Sequence, residues 1–154
     1  MRRINTVLML LSVVLFGACG GGNASTENTS SAPPPTSMVE EEVNPLENKG
    51  IGPISSVEVG ELDQALADEG LKIFEEMCTA CHKPDKKFIG PAPKGILERR
   101  SPEWVMNMIL NPEEMTQKDP IAKKLLIEAN GAPMANQNLT QDQARAVLEY
   151  FRTL

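Results

Sequence analysis

Five consecutive residues, Cys78-Thr79-Ala80-Cys81-His82, constrain this chain more than any other part of its sequence. The chain has three cysteines and one histidine, so two of its thiols and its only imidazole stand in one short frame. Two thiols at this spacing can each add to one vinyl group of haem, and the histidine that follows then lies under the iron. The frame predicts one covalently bound haem c, attached at Cys78 and Cys81, with His82 as the proximal iron ligand.

Other uses of this frame fit less well. A thioredoxin-like thiol pair needs a surrounding βαβ unit, and the sequence predicts no strand. A structural zinc site takes four nitrogen or sulfur ligands, whereas the frame offers three. A disulfide between cysteines so close together would close a very small loop, contribute little stability and leave His82 without a role.

The N-terminal residues 1–19 are typical of an export signal. Two arginines near the start precede an apolar run over residues 4–16, and small residues lead to Cys19. The apolar run is shorter than the roughly 20 residues of a membrane span. The end of the segment resembles a bacterial lipobox, which predicts lipidation at Cys19 and a domain on the periplasmic side of a membrane. An uncleaved N-terminal anchor is the alternative.

Residues 20–60 form a stretch rich in Gly, Ser, Pro and Glu with few large apolar side chains. Such a composition predicts a disordered tether, with a short ordered arm over residues 51–60 as an open alternative. The whole chain carries a formal net charge of −6, but residues 61–154 hold fifteen acids and twelve bases and are nearly balanced. Since no basic stripe is present, nucleic-acid binding is not expected.

Residues 61–154 are predicted to form one all-α domain of about four to five helices. Apolar residues recur at helical spacing, while Ser101-Pro102 and Asp119-Pro120 are typical of helix starts and Thr140 of a helix cap. The stretch from Lys83 to Gly95 is rich in Pro and Gly and is predicted to be a loop. The predicted helices cover residues 62–77, 102–110, 120–128 and 141–153.

The iron needs a sixth ligand or an open position, and the single histidine leaves methionine as the usual candidate. Met134 lies in a Gly-Ala-Pro-Met loop between two predicted helices, and a loop can direct a side chain at a metal. It is the predicted second ligand, with Met115 in reserve. The other methionines of the domain are predicted to lie beside the attachment site or in the core, namely Met77, Met106 and Met108.

Beyond this motif, residues 68–154 resemble a class I c-type cytochrome of the mitochondrial and bacterial type. Gly70 and Phe74 match the first helix of that family, and Tyr150 matches the aromatic residue at the crossing with the last helix. Gly90-Pro91, followed by Gly95, resembles the family's Gly-Pro-x-x-x-Gly loop. The resemblance implies a cytochrome c fold wrapped around one haem.

The same resemblance suggests further contacts to the cofactor. It implies that the Pro91 carbonyl accepts the Nδ1–H of His82 and thereby orients the ring. It places Arg99 near a haem propionate, and Trp104 is a second candidate donor to a propionate, with core packing as the alternative.

With both axial positions filled, the expected role is electron transfer rather than catalysis. The resemblance implies a monomeric carrier of single electrons in a respiratory chain, between a quinol-oxidising complex and a terminal oxidase or periplasmic reductase. Four lysines near the haem loops are candidates for steering an acidic partner: Lys83, Lys86, Lys87 and Lys94. The alternatives are a haem-based gas sensor or peroxidase-like enzyme, and a fixed cytochrome subunit of a larger complex.

Overall fold

The structure is a computed structural model that describes residues 43–154. The predicted signal peptide, the lipid anchor at Cys19 and the tether as far as residue 42 lie outside the described residues. Within residues 43–154 the chain forms five α-helices and one 3₁₀ turn and contains no strand, which confirms the all-α prediction. None of the helices in this range is both long and apolar enough to cross a membrane.

Each helix begins where a local signal satisfies its first backbone N–H groups. Asp63, Ser101 and Asp119 accept a hydrogen bond from a backbone N–H three residues on, and Thr140 forms a capping box with Gln143. Proline occupies the first position of three helices, where its missing N–H has no intrahelical partner to lose. The helices are α1 Gln64–Met77, α2 Pro102–Leu110, α3 Pro112–Lys118, α4 Pro120–Glu128 and α5 Gln141–Phe151, with a 3₁₀ turn at Ile96–Glu98.

The sequence pattern missed helix α3. The pair Asn111-Pro112 was interpreted as the end of a helix, because proline cannot continue one. In the structure Asn111 ends α2 and Pro112 begins α3 directly. The same dipeptide therefore marks both a stop and a start, and Met115 lies on a helix rather than after a turn.

Helices α1 and α5 cross at very close range. A Cβ atom on Gly70 would lie 1.9 Å from the carbonyl oxygen of Ala146, so only glycine permits this approach. Phe74 packs beside the crossing, with its ring centroid 5.3 Å from that of Tyr150 and 5.7 Å from that of Phe151. The predicted roles of Gly70, Phe74 and Tyr150 at this crossing are confirmed.

The domain begins earlier than the predicted boundary at residue 61, because part of the predicted tether packs against it. Ile54 is buried, and its N–H and carbonyl both bond to the buried side-chain amide of Asn107 at 2.9 Å. The same amide donates to the Lys49 carbonyl, and Ile51 N–H donates to the Met115 sulfur. We call residues 48–57 the N-terminal segment. Its backbone is held by side chains of α2 and α3, which composition alone does not reveal.

Candidate haem-binding site

The two attachment thiols and the histidine lie in a tight turn at the end of α1. Cys78 is the C-terminal cap of that helix, and its carbonyl accepts hydrogen bonds from Cys81 N–H at 3.0 Å and His82 N–H at 2.8 Å. This turn fixes the spacing of both sulfurs and directs the imidazole away from the helix end. Cys78 is half-buried and Cys81 exposed, and the two are not joined by a disulfide.

Burial, and secondarily the neighbouring Cys81, raise the pKa of the Cys78 thiol to about 11. This thiol is therefore less acidic than that of an exposed cysteine, because burial disfavours the thiolate. Within residues 43–154 no group of three or more His, Cys, Asp or Glu side chains is placed to hold a metal ion.

The His82 ring is held on two sides by the loop that follows it. Its Nδ1 lies 2.8 Å from the Pro91 carbonyl oxygen, which leaves Nε2 as the nitrogen available to a metal. A Cβ on Gly90 would lie 2.3 Å from Cε1 of the ring, so glycine is required for the loop to pass so closely. The Pro91 contact implied by the family resemblance is present, and Gly90 adds a steric requirement.

Two adjoining cavities open beside this turn. The first, the α5 cavity, is also lined by Val147 and Phe151 of α5. The second, the α4 cavity, is also lined by Leu125 and Leu126 of α4. Eight residues line both cavities, namely Cys78, His82, Pro91, Ile96, Trp104, Met108, Met134 and Gln137.

The cavities suit a large apolar macrocycle with an iron centre. Their walls are predominantly apolar, as is typical of cofactor sites. Both thiols border the α4 cavity together with His82, so one group could receive two thioether bonds and an imidazole ligand. The residues present therefore fit a covalently attached haem.

Two methionines border both cavities, and two others are excluded as ligands. Met134 lies in the loop between α4 and α5, and Met108 lies on α2. The reserve candidate Met115 is fully buried away from both cavities, and its sulfur accepts the Ile51 N–H at 2.9 Å. Met106 is buried and lines neither cavity. Met134 remains the predicted ligand, and Met108 is its rival.

The two predicted propionate donors, Trp104 and Arg99, both make hydrogen bonds within the protein. Trp104 lines both cavities, but its indole N–H donates to Asp119 Oδ1 at 3.1 Å. Since an indole has only one donor, this bond favours the core-packing alternative for Trp104. Arg99 is exposed and lines neither cavity; its guanidinium donates to the carbonyls of Ala92 and Lys94 and braces the loop.

The neighbouring Arg100 was missed by sequence reasoning. Its guanidinium lies over the Trp104 ring, 5.4 Å from the centroid, and its Nε is buried without a hydrogen-bond partner among residues 43–154. Burial and then the like charge of Arg99 lower the pKa of Arg100, while Asp119 and Glu128 act to raise it. No local signal distinguishes Arg99 from Arg100 in the sequence, because only the packing of Trp104 decides which arginine turns inward.

Comparison with known proteins gives a consistent result. Residues 67–154 match the family model described as cytochrome c. A solved structure of cytochrome c from Rhodothermus marinus is 46% identical, with a TM-score of 0.64, over 66% of this chain and 88% of that chain. An engineered form of that cytochrome bound to a carbene intermediate is also 46% identical, with a TM-score of 0.61 and the same coverage. No curated protein sequence matches.

The family model spans more than half of the chain, and its matched range contains the attachment turn, the Pro91 loop and Met134. The solved relatives share the helical fold that surrounds the two cavities. Members of this family carry one covalent haem c and transfer electrons. The chain belongs to the cytochrome c family.

Proposed function

We propose that this chain is a membrane-tethered mono-haem carrier that shuttles single electrons between a quinol-oxidising complex and a terminal oxidase or periplasmic reductase. The observation that carries the proposal is the common wall formed by Cys78, Cys81, His82 and Met134 around an apolar cavity. The signal-like residues 1–19 and the lipobox ending at Cys19 support a location on the periplasmic side of a bacterial membrane.

Bound in this site, haem supplies one-electron exchange between Fe(III) and Fe(II). The protein's residues determine the conditions of that exchange. The thiols of Cys78 and Cys81 hold the group covalently, the Pro91 carbonyl fixes the tautomer and orientation of His82, and the apolar walls exclude water. A sulfur ligand from Met134 would raise the reduction potential and leave no open position for a substrate.

The surface next to the attachment turn suits brief docking to a redox partner. Met77, Phe88 and Ile89 are exposed, and Met77 and Ile89 border the α4 cavity together with Cys81. Lys83 lies at this apolar surface, with its Nζ 5.2 Å from the centroid of the Phe88 ring, and the exposed Lys86 and Lys87 directly precede Phe88 in the sequence. An apolar centre with a cationic rim favours fast association with an acidic partner and fast release.

Matched substitutions at the two cavity methionines test the ligand assignment. In haem-loaded protein, Met134→Ala is expected to abolish the far-red absorbance of methionine–iron ligation, lower the reduction potential and open the iron to CO. Met108→Ala is expected to leave all three properties close to wild type, because it removes wall packing only. The opposite pattern would assign the ligand to Met108, and fast CO binding by the wild type would favour a gas sensor.

The docking surface is tested by charge reversal. Lys86→Glu is expected to slow electron transfer to an acidic acceptor and to flatten its dependence on salt, while Lys118→Glu makes the same change on α3 and is expected to have little effect. Equal rates for the two variants would contradict the docking surface. Co-purification of the wild type with a membrane complex in mild detergent would indicate a fixed subunit instead of a shuttle.

A further inference from the structure

Asp119 is a buried carboxylate directly behind the wall of the haem cavities. Its relative exposure is 2%. Its Oδ1 accepts the Trp104 indole N–H at 3.1 Å and the Ala122 backbone N–H at 2.8 Å, and Trp104 and Ala122 both line the α4 cavity. One oxygen of Asp119 is therefore bonded to two different parts of the cavity wall.

The second oxygen faces the N-terminal segment. Asp119 Oδ2 accepts a hydrogen bond from the side-chain amide of Asn48 at 2.6 Å. All three side-chain contacts of Asp119 are with N–H donors, so the group acts as an acceptor only, as an ionised carboxylate does. Within residues 43–154 it forms no ion pair, and Arg100 on the Trp104 ring is close enough for Asp119 to act to raise its pKa.

A buried charge acts at longer range than an exposed one, because little water lies between it and its surroundings. Loss of an electron makes the iron centre more positive, so a fixed negative charge behind the wall stabilises the oxidised state and lowers the reduction potential. Helix capping alone does not require such an arrangement, since an uncharged Asn or Ser caps a helix equally well.

We propose that Asp119 is a positioning residue for electron transfer, which holds Trp104 against the haem cavity and lowers the reduction potential of the haem through its buried negative charge. The inference rests on the haem of the cytochrome c family and not on the proposed partners. Its test is made on purified haem-loaded protein without any partner, so its failure and that of the proposed shuttle are separate results.

The direct test is a redox titration of Asp119→Asn. Asparagine retains the capping oxygen that Trp104 and Ala122 need and removes the charge. We expect the equilibrium constant for reduction to increase on the order of tenfold, which is 59 mV for one electron. A change smaller than threefold would overturn the proposal. If this variant fails to retain haem, Asp119→Ser offers another uncharged capping oxygen, and the same criterion applies.

Two controls separate charge from other effects. Glu113→Gln removes one negative charge at an exposed position of α3, and we expect its potential to match the wild type. Asn48→Ala removes a hydrogen bond to Asp119 but keeps the charge, so we expect a shift well below that of Asp119→Asn. Equal shifts in Asn48→Ala and Asp119→Asn would overturn the proposal, because the hydrogen bond rather than the charge would then be responsible.

The single tryptophan of the chain provides a spectroscopic readout. In the reduced protein, the one indole N–H resonance reports directly on the Trp104–Asp119 bond. We expect this resonance to remain sharp and slow to exchange in Asp119→Asn, while the potential rises. If the potential rises only when the resonance is lost, movement of the Trp104 ring would explain the shift. That result would overturn the role of the charge.

Discussion

The two sides of this domain are ordered by different means. On one side, the attachment turn and the loop over residues 83–95 surround two apolar cavities and are held mostly by their own backbone hydrogen bonds. On the other side, the N-terminal segment is held by buried polar side chains, above all Asn107, whose three hydrogen bonds all go to that segment. The haem side needs a bound cofactor to fill its cavities, whereas the N-terminal segment is held by side chains of the same chain.

This difference has a physical cause. Apolar side chains that line a cavity without a partner lose their van der Waals contacts on that side. These walls are therefore stable only around a partner of matching shape. A buried amide network satisfies every donor and acceptor within the protein and requires no partner. We therefore expect perturbations on the haem side to affect the whole fold and perturbations of the N-terminal segment to remain local.

The largest effect is expected from Cys78→Ala/Cys81→Ala, which prevents covalent attachment. The apolar walls of both cavities lose their packing partner without the haem, and a small domain is stable by only about 5–15 kcal/mol. We expect a largely unfolded chain by circular dichroism. Thr79→Ala lies in the same frame and should fold with its haem. Cooperative, native-like unfolding of the haem-free double variant would show that the haem side does not depend on its cofactor.

The next effect concerns the close crossing of α1 and α5. Gly70→Ala places a Cβ in contact with the Ala146 carbonyl, and α1 and α5 must separate. We expect a loss of about 3 kcal/mol in the free energy of unfolding, measured by denaturant titration of the haem-loaded protein. Gly60→Ala has no atom within 4 Å of the new Cβ and should stay within about 0.5 kcal/mol of wild type.

A smaller and local effect is expected from Asn107→Ala. The variant removes all three hydrogen bonds to the N-terminal segment, and we expect a loss of about 2 kcal/mol together with faster proteolysis of residues 43–60. The haem spectrum should not change, because Asn107 lines neither cavity. Exposed Gln117→Ala on α3 should alter neither property. A changed spectrum in Asn107→Ala would show that the two sides are not independent.

The smallest effect is expected from acid. Burial acts to raise the pKa of Glu149, but hydrogen bonds from Arg152, the Asp63 backbone and Arg145 outweigh it and lower the pKa from 4.5 to about 2. Because the folded pKa is the lower one, the contribution of Glu149 to stability is present above pH 4.5 and lost as the pH falls toward 2. Between pH 4.5 and pH 2 we expect the free energy of unfolding of Glu149→Gln to fall by about 1 kcal/mol less than that of the wild type, measured by denaturant titration. The exposed Glu76→Gln is the control and should lose stability as the wild type does.

Much of the site was predictable because its signals are local. The attachment frame needs only five adjacent residues, and the caps at Ser101, Asp119 and Thr140 act within one turn of their helices. The exceptions involve residues far apart in sequence. Trp104 gives its N–H to Asp119, and Arg100 rather than Arg99 packs on the indole ring, because the geometry of α2 and α4 decides these contacts.

The sequence by itself determined the cofactor, the helical class and the proximal histidine, since thiol spacing, helix capping and the single imidazole leave little choice. The tertiary structure decided where the domain begins, which methionines border the cavity and which charges lie behind its wall. The reason is that these properties depend on contacts between distant residues: Asn107 with Ile54 and Asp119 with Asn48 are each separated by more than fifty positions, and composition does not encode such pairings.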